Sequence, residues 1–194
     1  VISGPRSAAE PLASVDSDNY GGARSAVEHL LSRGRGRIAH ITGHLAVYGA
    51  QRRVDGYRDA LRGAGHEVDE GLIEPGDFTE EGGRRAMAQL LRRHPDVDAV
   101  FAASDVTAAG ASQVLREAGR SIPDDVALVG YDDSAIARHM EPPLTSVRQP
   151  IEEMGRAMID LLLTEIADRR PAVSRGLERH QVVLATELVE RRSS

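Results

Sequence analysis

The sequence predicts an α/β fold, a parallel sheet with helices on both faces. Three observations lead there. Short apolar, β-rich runs alternate with amphipathic helical runs along the chain. The apolar runs are near-continuous instead of strictly alternating, which suits strands buried on both sides. The helical runs carry start and stop signals where this alternation needs them.

Taken in order, the chain opens Val1-Ile2-Ser3-Gly4, which reads as the tail of a strand entering a loop. It has no initiator Met, so a fragment lacking its upstream part is expected. Residues 13–16 form a weak strand. Ala23, Ala26, Val27, Leu30 and Leu31 then share one helical face, and Gly34 stops that helix. Residues 37–42 form a strand. Val54, Tyr57, Leu61 and Ala64 make the next helical face, ended by Gly65. Residues 71–74 are a second weak strand. Ala86, Met87, Leu90 and Leu91 follow at helical spacing, with Thr79 as N-cap and Glu80 and Glu81 favourable in the first turn. Gly82 and Gly83 sit inside that pattern and mark close packing. After a strand at 99–103 comes the face of Ala108, Ala111, Val114, Leu115 and Ala118, capped by Ser104 or Asp105 and stopped by Gly119, with Pro123 beyond. Residues 126–130 are a strand. Pro150 opens the last long helix. Its stripe of Ile151, Met154, Met158, Ile159, Leu161, Leu162 and Leu163 is wide enough to imply packing on more than one side, and residues 168–171 end it. Residues 181–189 read as extended.

Composition narrows the function. The 194 residues suit one domain, or one and a piece of another, since domains commonly take about 100–200 residues. With no cysteine, disulfides, thiolate catalysis and cysteine zinc sites are excluded. All 24 basic residues are Arg, which removes Schiff-base and P-loop lysines. A net charge of −6 makes the chain as a whole a poor polyanion binder. No apolar stretch reaches the length of about 20 residues that a membrane helix needs. The seven His are scattered, and Gly34-Arg35-Gly36 precedes a strand where a dinucleotide loop would follow one. No Gly-x-Ser-x-Gly elbow is present. No metal and no cofactor is expected.

In open parallel sheets ligands bind beyond the carboxyl ends of the strands. Those ends carry Ser17-Asp18-Asn19, Thr42-Gly43-His44, Gly76-Asp77-Phe78, Ser104-Asp105 and Tyr131-Asp132-Asp133. The set is acidic and includes one of only two Phe. Carboxylates accept hydrogen bonds from hydroxyls, and an aromatic face covers the C–H side of a sugar ring, so a polyhydroxylated ligand fits. Of Asp132 and Asp133, one is expected to face the pocket and the other a cap or turn.

Several segments together resemble the LacI/GalR family of bacterial transcriptional regulators. They are residues 15–23 with Glu28-His29-Leu30, residues 37–43, Arg53-Val54-Asp55-Gly56-Tyr57, residues 76–79, residues 101–105 with Gly110-Ala111, residues 122–133, residues 142–150 and residues 186–191. They follow in the family's order over essentially the whole chain. The resemblance implies a periplasmic-binding-protein-like type I fold of two α/β lobes with the effector in the cleft. It divides the chain into the second lobe at 18–148, remnants of the first lobe and crossovers at 1–17 and 149–185, and a tail at 186–194 returning to the second lobe.

The resemblance further implies an effector site of Arg53, Asp132, Phe78, Ser104 and Gln149, with Gly49 where the family often has Ser or Thr. It implies a homodimer in which Ala109, Gln113 and Met140 lie at the interface, Met140 as an exposed filler. The implied partners are a small-molecule effector, a sugar above all, and operator DNA only through a helix-turn-helix domain absent from these residues, in a cytoplasmic protein that is no enzyme. A periplasmic solute-binding protein would share the fold and pocket, and a small α/β enzyme would need a nucleophile–base pair that the sequence does not offer.

Overall fold

The computed structural model describes residues 1–4, 12–167 and 181–194. Nine strands and six helices follow one another as β1 (Ile2–Ser3), β2 (Ser14–Ser17), α1 (Asn19–Ser32), β3 (Ile38–Ile41), α2 (Tyr48–Gly63), β4 (Ile73–Glu74), α3 (Glu80–Arg93), β5 (Ala99–Ala102), α4 (Asp105–Glu117), β6 (Ala127–Asp132), α5 (Ala135–His139), β7 (Thr145–Arg148), α6 (Ile151–Ala167), β8 (Gln181–Leu184) and β9 (Glu187–Val189) among the described residues. They build two sheets. The larger has the order β4-β3-β5-β6-β7-β9, parallel except that β9 runs antiparallel to β7; the smaller has the order β1-β2-β8, all parallel. The chain leaves the small sheet after β2, builds the large one from β3 to β7, returns to the small sheet with β8 and rejoins the large one at β9.

The near-continuous apolar strands have their explanation in two cores, one on each face of the large sheet. Ile38, Phe101, Val129 and Tyr131 point to the side covered by α1 and α2, where Val27, Leu30, Tyr57 and Leu61 meet them. Ala39, Ile41, Val100, Ala102 and Leu128 point to the other side, against Met87 and Leu90 of α3 and Ala111 and Leu115 of α4. Successive residues of a strand face opposite ways, so a strand apolar at every position is one with no solvated face. His40 is the polar residue inside this pattern. It is fully buried, stacked between Tyr57 and Phe101. Its Nδ1 lies 2.9 Å from the Phe101 carbonyl oxygen. A carbonyl can only accept, so Nδ1 carries the proton, and burial pulls the imidazole's pKa down to about 4.

Helix ends follow the local chemistry of the sequence. Asp18 accepts from Gly21 N at 2.8 Å, Thr79 from Gly82 N at 2.9 Å and Ser104 from Thr107 N at 3.1 Å, each satisfying an orphan donor of the helix it starts. Between Ser104 and Asp105, Ser104 is therefore the cap. Gly34 and Gly119 leave their helices at φ of 81° and 71°, the left-handed conformation that a side chain disfavours.

Three features depart from the sequence-based expectation. The helix α5 and the strand β7 lacked enough apolar periodicity to be read from spacing. The weak strand at 71–74 is half 3-10 turn, Glu70–Leu72, leaving only Ile73–Glu74 extended. The α6 stripe is not covered on more than one side. Met154 is buried, whereas Ile151, Ile159, Leu162, Leu163 and Ile166 stand exposed, because the three-stranded sheet packs against one side of the helix only. The stop expected at 168–171 lies outside the described residues.

The helices on each face pack at backbone distance. A Cβ at Gly83 would lie 2.2 Å from the Thr107 carbonyl oxygen, and one at Gly110 would lie 2.0 Å from that of Glu80. The glycines of α3 and α4 thus face each other's backbones, as the Gly82-Gly83 pair in a helical pattern suggests. A methyl cannot be accommodated without moving one helix. Gly110→Ala is expected to destabilise the chain by roughly 1–3 kcal/mol despite its better helix propensity; urea unfolding with no loss of stability would show that α3 and α4 can part at little cost.

Candidate functional site

The site collects where α1, α2, β5, β6 and β7 meet, at the carboxyl ends of the parallel strands. Arg53, on the second turn of α2, is its centre. Its side chain is 7% exposed. Nε donates to Asn19 Oδ1 at 2.8 Å, and Nη1 donates to the Ala103 carbonyl just past β5. The guanidinium carbon lies 3.6 Å from the centroid of the Tyr131 ring and 5.9 Å from that of Phe78. Burial lowers its pKa, opposed by Tyr131 and by the carboxylates of Asp132 and Asp16. A guanidinium has five N–H donors; Asn19 and Ala103 take two.

Asp132 ends β6 with φ of 110°. Gln149, directly after β7, donates to its Oδ1 at 2.6 Å and accepts from Ser17 Oγ at 2.7 Å, tying β6 to β2. Burial pushes the Asp132 carboxyl up to about 6, against the opposing pull of Arg53 and Gln149. The neighbouring Asp133 turns away, its carboxylate held by Arg148 Nε at 2.8 Å and by Arg191. Of the pair, Asp133 has its carboxylate paired with arginines while Asp132 has its own bonded by Gln149.

Two cavities flank Gln149. One, of ≈ 320 Å³, is lined by Asp16, Asn19, Gly49, Arg53, Gln149 and Met154 among others. The second, of ≈ 540 Å³, is lined by Asp132, Asp133, Arg138, Arg148 and Gln149 among others. Arg53 and Asp132 therefore open into adjoining spaces with Gln149 on both walls. Phe78 is half-buried with a φ of 65°. Its ring lies so close over Gly43 that a Cβ there would fall 1.9 Å from a ring carbon. Gly43 is the place where any side chain would displace the aromatic face.

The remaining expected positions divide. Gly49 lines the smaller cavity, and a Cβ there would lie 3.1 Å from Asn19 Oδ1. Its missing side chain leaves that space to the ligand and to Asn19. Ser104 is 4% exposed, with its hydroxyl engaged by Thr107 N and by Thr107 Oγ1 at 2.9 Å. It starts α4, with two of its hydroxyl's bonds made inside the first turn of that helix.

Of the expected interface residues, Ala109 is partly exposed on α4. Gln113 is turned onto α3, where it accepts from Arg84 Nη1 at 2.6 Å and donates to Glu80. Met140 is half-buried against the α3–α4 core, not the exposed filler expected, because the short α5 folds it back. Sequence reasoning missed Asp16, Asn19 and Tyr131 as partners of Arg53. Asn19 and Tyr131 already stood among the strand-end residues, but their convergence needs the Arg53 side chain carried from α2 to both of them. Among the described residues no cluster of His, Asp and Glu could hold a metal ion, and no helix is long and apolar enough to cross a membrane.

The comparisons with known proteins agree with this fold. The model of the periplasmic binding protein-like domain family matches residues 27–194. The HTH-type transcriptional regulator CelR of Thermobifida fusca is 49% identical over 184 residues, covering 95% of this chain and 52% of that protein. The ribose operon repressor of Escherichia coli is 39% identical over 169 residues, 87% of this chain and 49% of that protein. A solved structure of the transcriptional regulator CelR–cellobiose complex superposes with a TM-score of 0.91 at 47% identity, covering 98% of this chain and 57% of that one. The chain spans about half the length of the curated relatives it matches. On this match the chain belongs to the periplasmic-binding-protein-like domain family, and the relatives named above are transcriptional regulators.

Proposed function

We propose that the chain is the effector-binding and dimerisation part of a sugar-responsive LacI/GalR-type regulator working in the cytoplasm. Residues 18–148 would be one lobe, residues 1–17 and 149–185 pieces of the other lobe and its crossovers, and residues 186–194 a tail docked on the first. The observation that carries the reading is Arg53: a guanidinium buried on Tyr131, fixed by Asn19 and the Ala103 carbonyl, on the wall of a cavity whose opposite polar edge is Gln149 and, beyond it, Asp132. A donor fork facing a carboxylate acceptor suits a hydroxyl-rich ligand, which both donates and accepts. Phe78 supplies an aromatic face on the same side as Arg53. A relative solved with cellobiose makes a β-linked glucose disaccharide the first ligand to test. Operator DNA would be reached only through a helix-turn-helix that these residues do not contain. The relatives are transcriptional regulators, which favours this reading over a solute carrier or an enzyme.

The dimer would be built partly on α4, where Ala109 lets a second chain approach closely. Ala109→Arg in the full-length protein should shift sedimentation towards monomer, and an undiminished dimer would remove α4 from the interface.

Arg53→Ala is expected to weaken cellobiose binding by roughly ten- to a hundredfold, the worth of one charge-assisted hydrogen bond. Because Arg53 is buried and bonded, unlike a surface ion pair, the same change is expected to lower stability by roughly 1–3 kcal/mol. NMR titration reads affinities from micromolar to millimolar and can decide the point; equal affinity in a folded variant would sink the assignment.

Asp132 gives a pH signature. Its folded-state pKa of about 6 lies above the ordinary 3.8. The protonated form is thus favoured by folding, a contribution complete below the unfolded pKa and lost as pH rises through 6. Ligand hydroxyls need the carboxylate as acceptor, so affinity runs the other way. Cellobiose binding should be about tenfold weaker at pH 5 than at pH 7, and Asp132→Asn should abolish that difference. A flat affinity profile in the unaltered protein would take Asp132 out of the site.

A further inference from the structure

Asp105 is a fully buried carboxylate whose burial neither the cap of α4 nor the cavity explains. It is 0% exposed and has no ion pair among the described residues. Burying a charge without a cation is expensive. An acidic residue in the first turn of a helix ordinarily meets the helix dipole from solvent, and here Ser104 already caps α4. The Asp105 oxygens instead reach two other segments. Oδ2 accepts from Ser134 N at 2.7 Å, and Oδ1 accepts from Ser146 Oγ on β7 at 2.6 Å. Ser146 Oγ in turn accepts from Asp133 N at 3.0 Å. Room for the carboxylate comes from Gly130, where a Cβ would lie 2.5 Å from Oδ1.

All these bonds converge on one turn. Asp132 and Asp133 have φ of 110° and 51°, conformations that non-glycine residues leave unless their surroundings hold them. Arg148 and Arg191 hold the side chain of Asp133 from outside, while Asp105 and Ser146 hold the backbone N–H groups of Asp133 and Ser134 from inside. What this leaves free to face the cavity is Asp132.

We propose that Asp105 is a positioning residue: acting directly on Ser134 N and through Ser146 on Asp133 N, it fixes the strained 132–134 turn and so presents Asp132 to the ligand. This rests on the effector-site reading above, but only for the ligand. The geometry of the turn stands apart from it. The same residue begins α4, so the helix that carries Ala109 and the turn that carries Asp132 share one buried anchor.

The test uses Ser146→Ala, which cuts the relay while keeping the Asp105 carboxyl group. The charged or polar groups acting on Asp132 are Arg53, Gln149 and Asp105. The variant leaves Arg53 and Gln149 in place but removes the hydrogen bond that holds the Asp105 carboxyl down. Asp105 is therefore titrated in the same spectra, and the Asp132 midpoint is compared over the pH range in which Asp105 stays ionised. The readout is the Asp132 carboxyl titrated by carbon NMR in the ligand-free chain, assigned with Asp132→Asn. If the turn relaxes, Asp132 becomes better hydrated, and its midpoint should fall by about half a unit or more from the value of the unaltered protein. Cellobiose affinity at pH 7 should fall about tenfold.

An unmoved midpoint in folded Ser146→Ala overturns the proposal. Should that variant not fold, Asp105→Asn is read by the ratio of its cellobiose affinity to its thermal shift, since it removes charge as well; full affinity there overturns the proposal equally. If the full-length protein binds no cellobiose while the midpoint still moves, the cellobiose reading fails and the positioning role stands. If cellobiose binds and neither midpoint nor affinity changes, the positioning role fails alone.

Discussion

The structure around the cleft depends on one desolvated cation. Arg53 reaches from α2 to Asn19 at the start of α1, to the carbonyl following β5 and to the ring of Tyr131 on β6. Four elements are joined through one side chain. Such a group is tolerated away from water only when its donors are matched, since an unmatched buried donor carries its full desolvation penalty. Asn19 and the Ala103 carbonyl take two of the Arg53 donors and the Tyr131 ring supports the guanidinium plane. A ligand at the proposed site would thus meet a pre-oriented fork and lose little conformational freedom on binding.

The carboxylate side of the cleft is built on the opposite principle. Asp132 is held in an unfavourable backbone conformation and an unfavourable solvation state at once. Its neighbours supply the restraint: Gln149 from β7's end, Asp133 through two arginines, and Asp105 from beneath. Strain of this kind persists only where the surroundings over-determine it, and it concentrates at binding sites. The two halves of the site meet in Gln149, which touches Asp132 on one side and Ser17 of the small sheet on the other. A movement of the small sheet relative to the large one would be felt at Asp132 through that amide.

The α6 helix adds a different constraint. Five large apolar side chains of one helix lie in the open, while the cores on both faces of the large sheet are closed. The helix has apolar surface on more sides than the three-stranded sheet can cover.

The sequence by itself determined the α/β alternation, the burial of the central strands on both faces, the cap at Thr79, a cap at Ser104 or Asp105, and close packing at Gly82-Gly83. All of these rest on residues near one another in the chain, where periodicity and hydrogen-bond chemistry act locally. It also reached Phe78 and Asp132 by the strand-end rule, and Arg53 and Gln149 only by family resemblance, since nothing in helical spacing marks one arginine of α2 among its neighbours. The tertiary structure alone decided which partners meet. Tyr131 comes under Arg53 because the Arg53 side chain reaches from α2 to the end of β6; Ser104 bonds within the first turn of its own helix; Met140 folds inward with α5. Asp105 is the sharpest case. As a residue at a helix start it looks like an ordinary first-turn acid, and its work on Ser134 and Ser146, 29 and 41 positions away, exists only once β6 and β7 lie side by side.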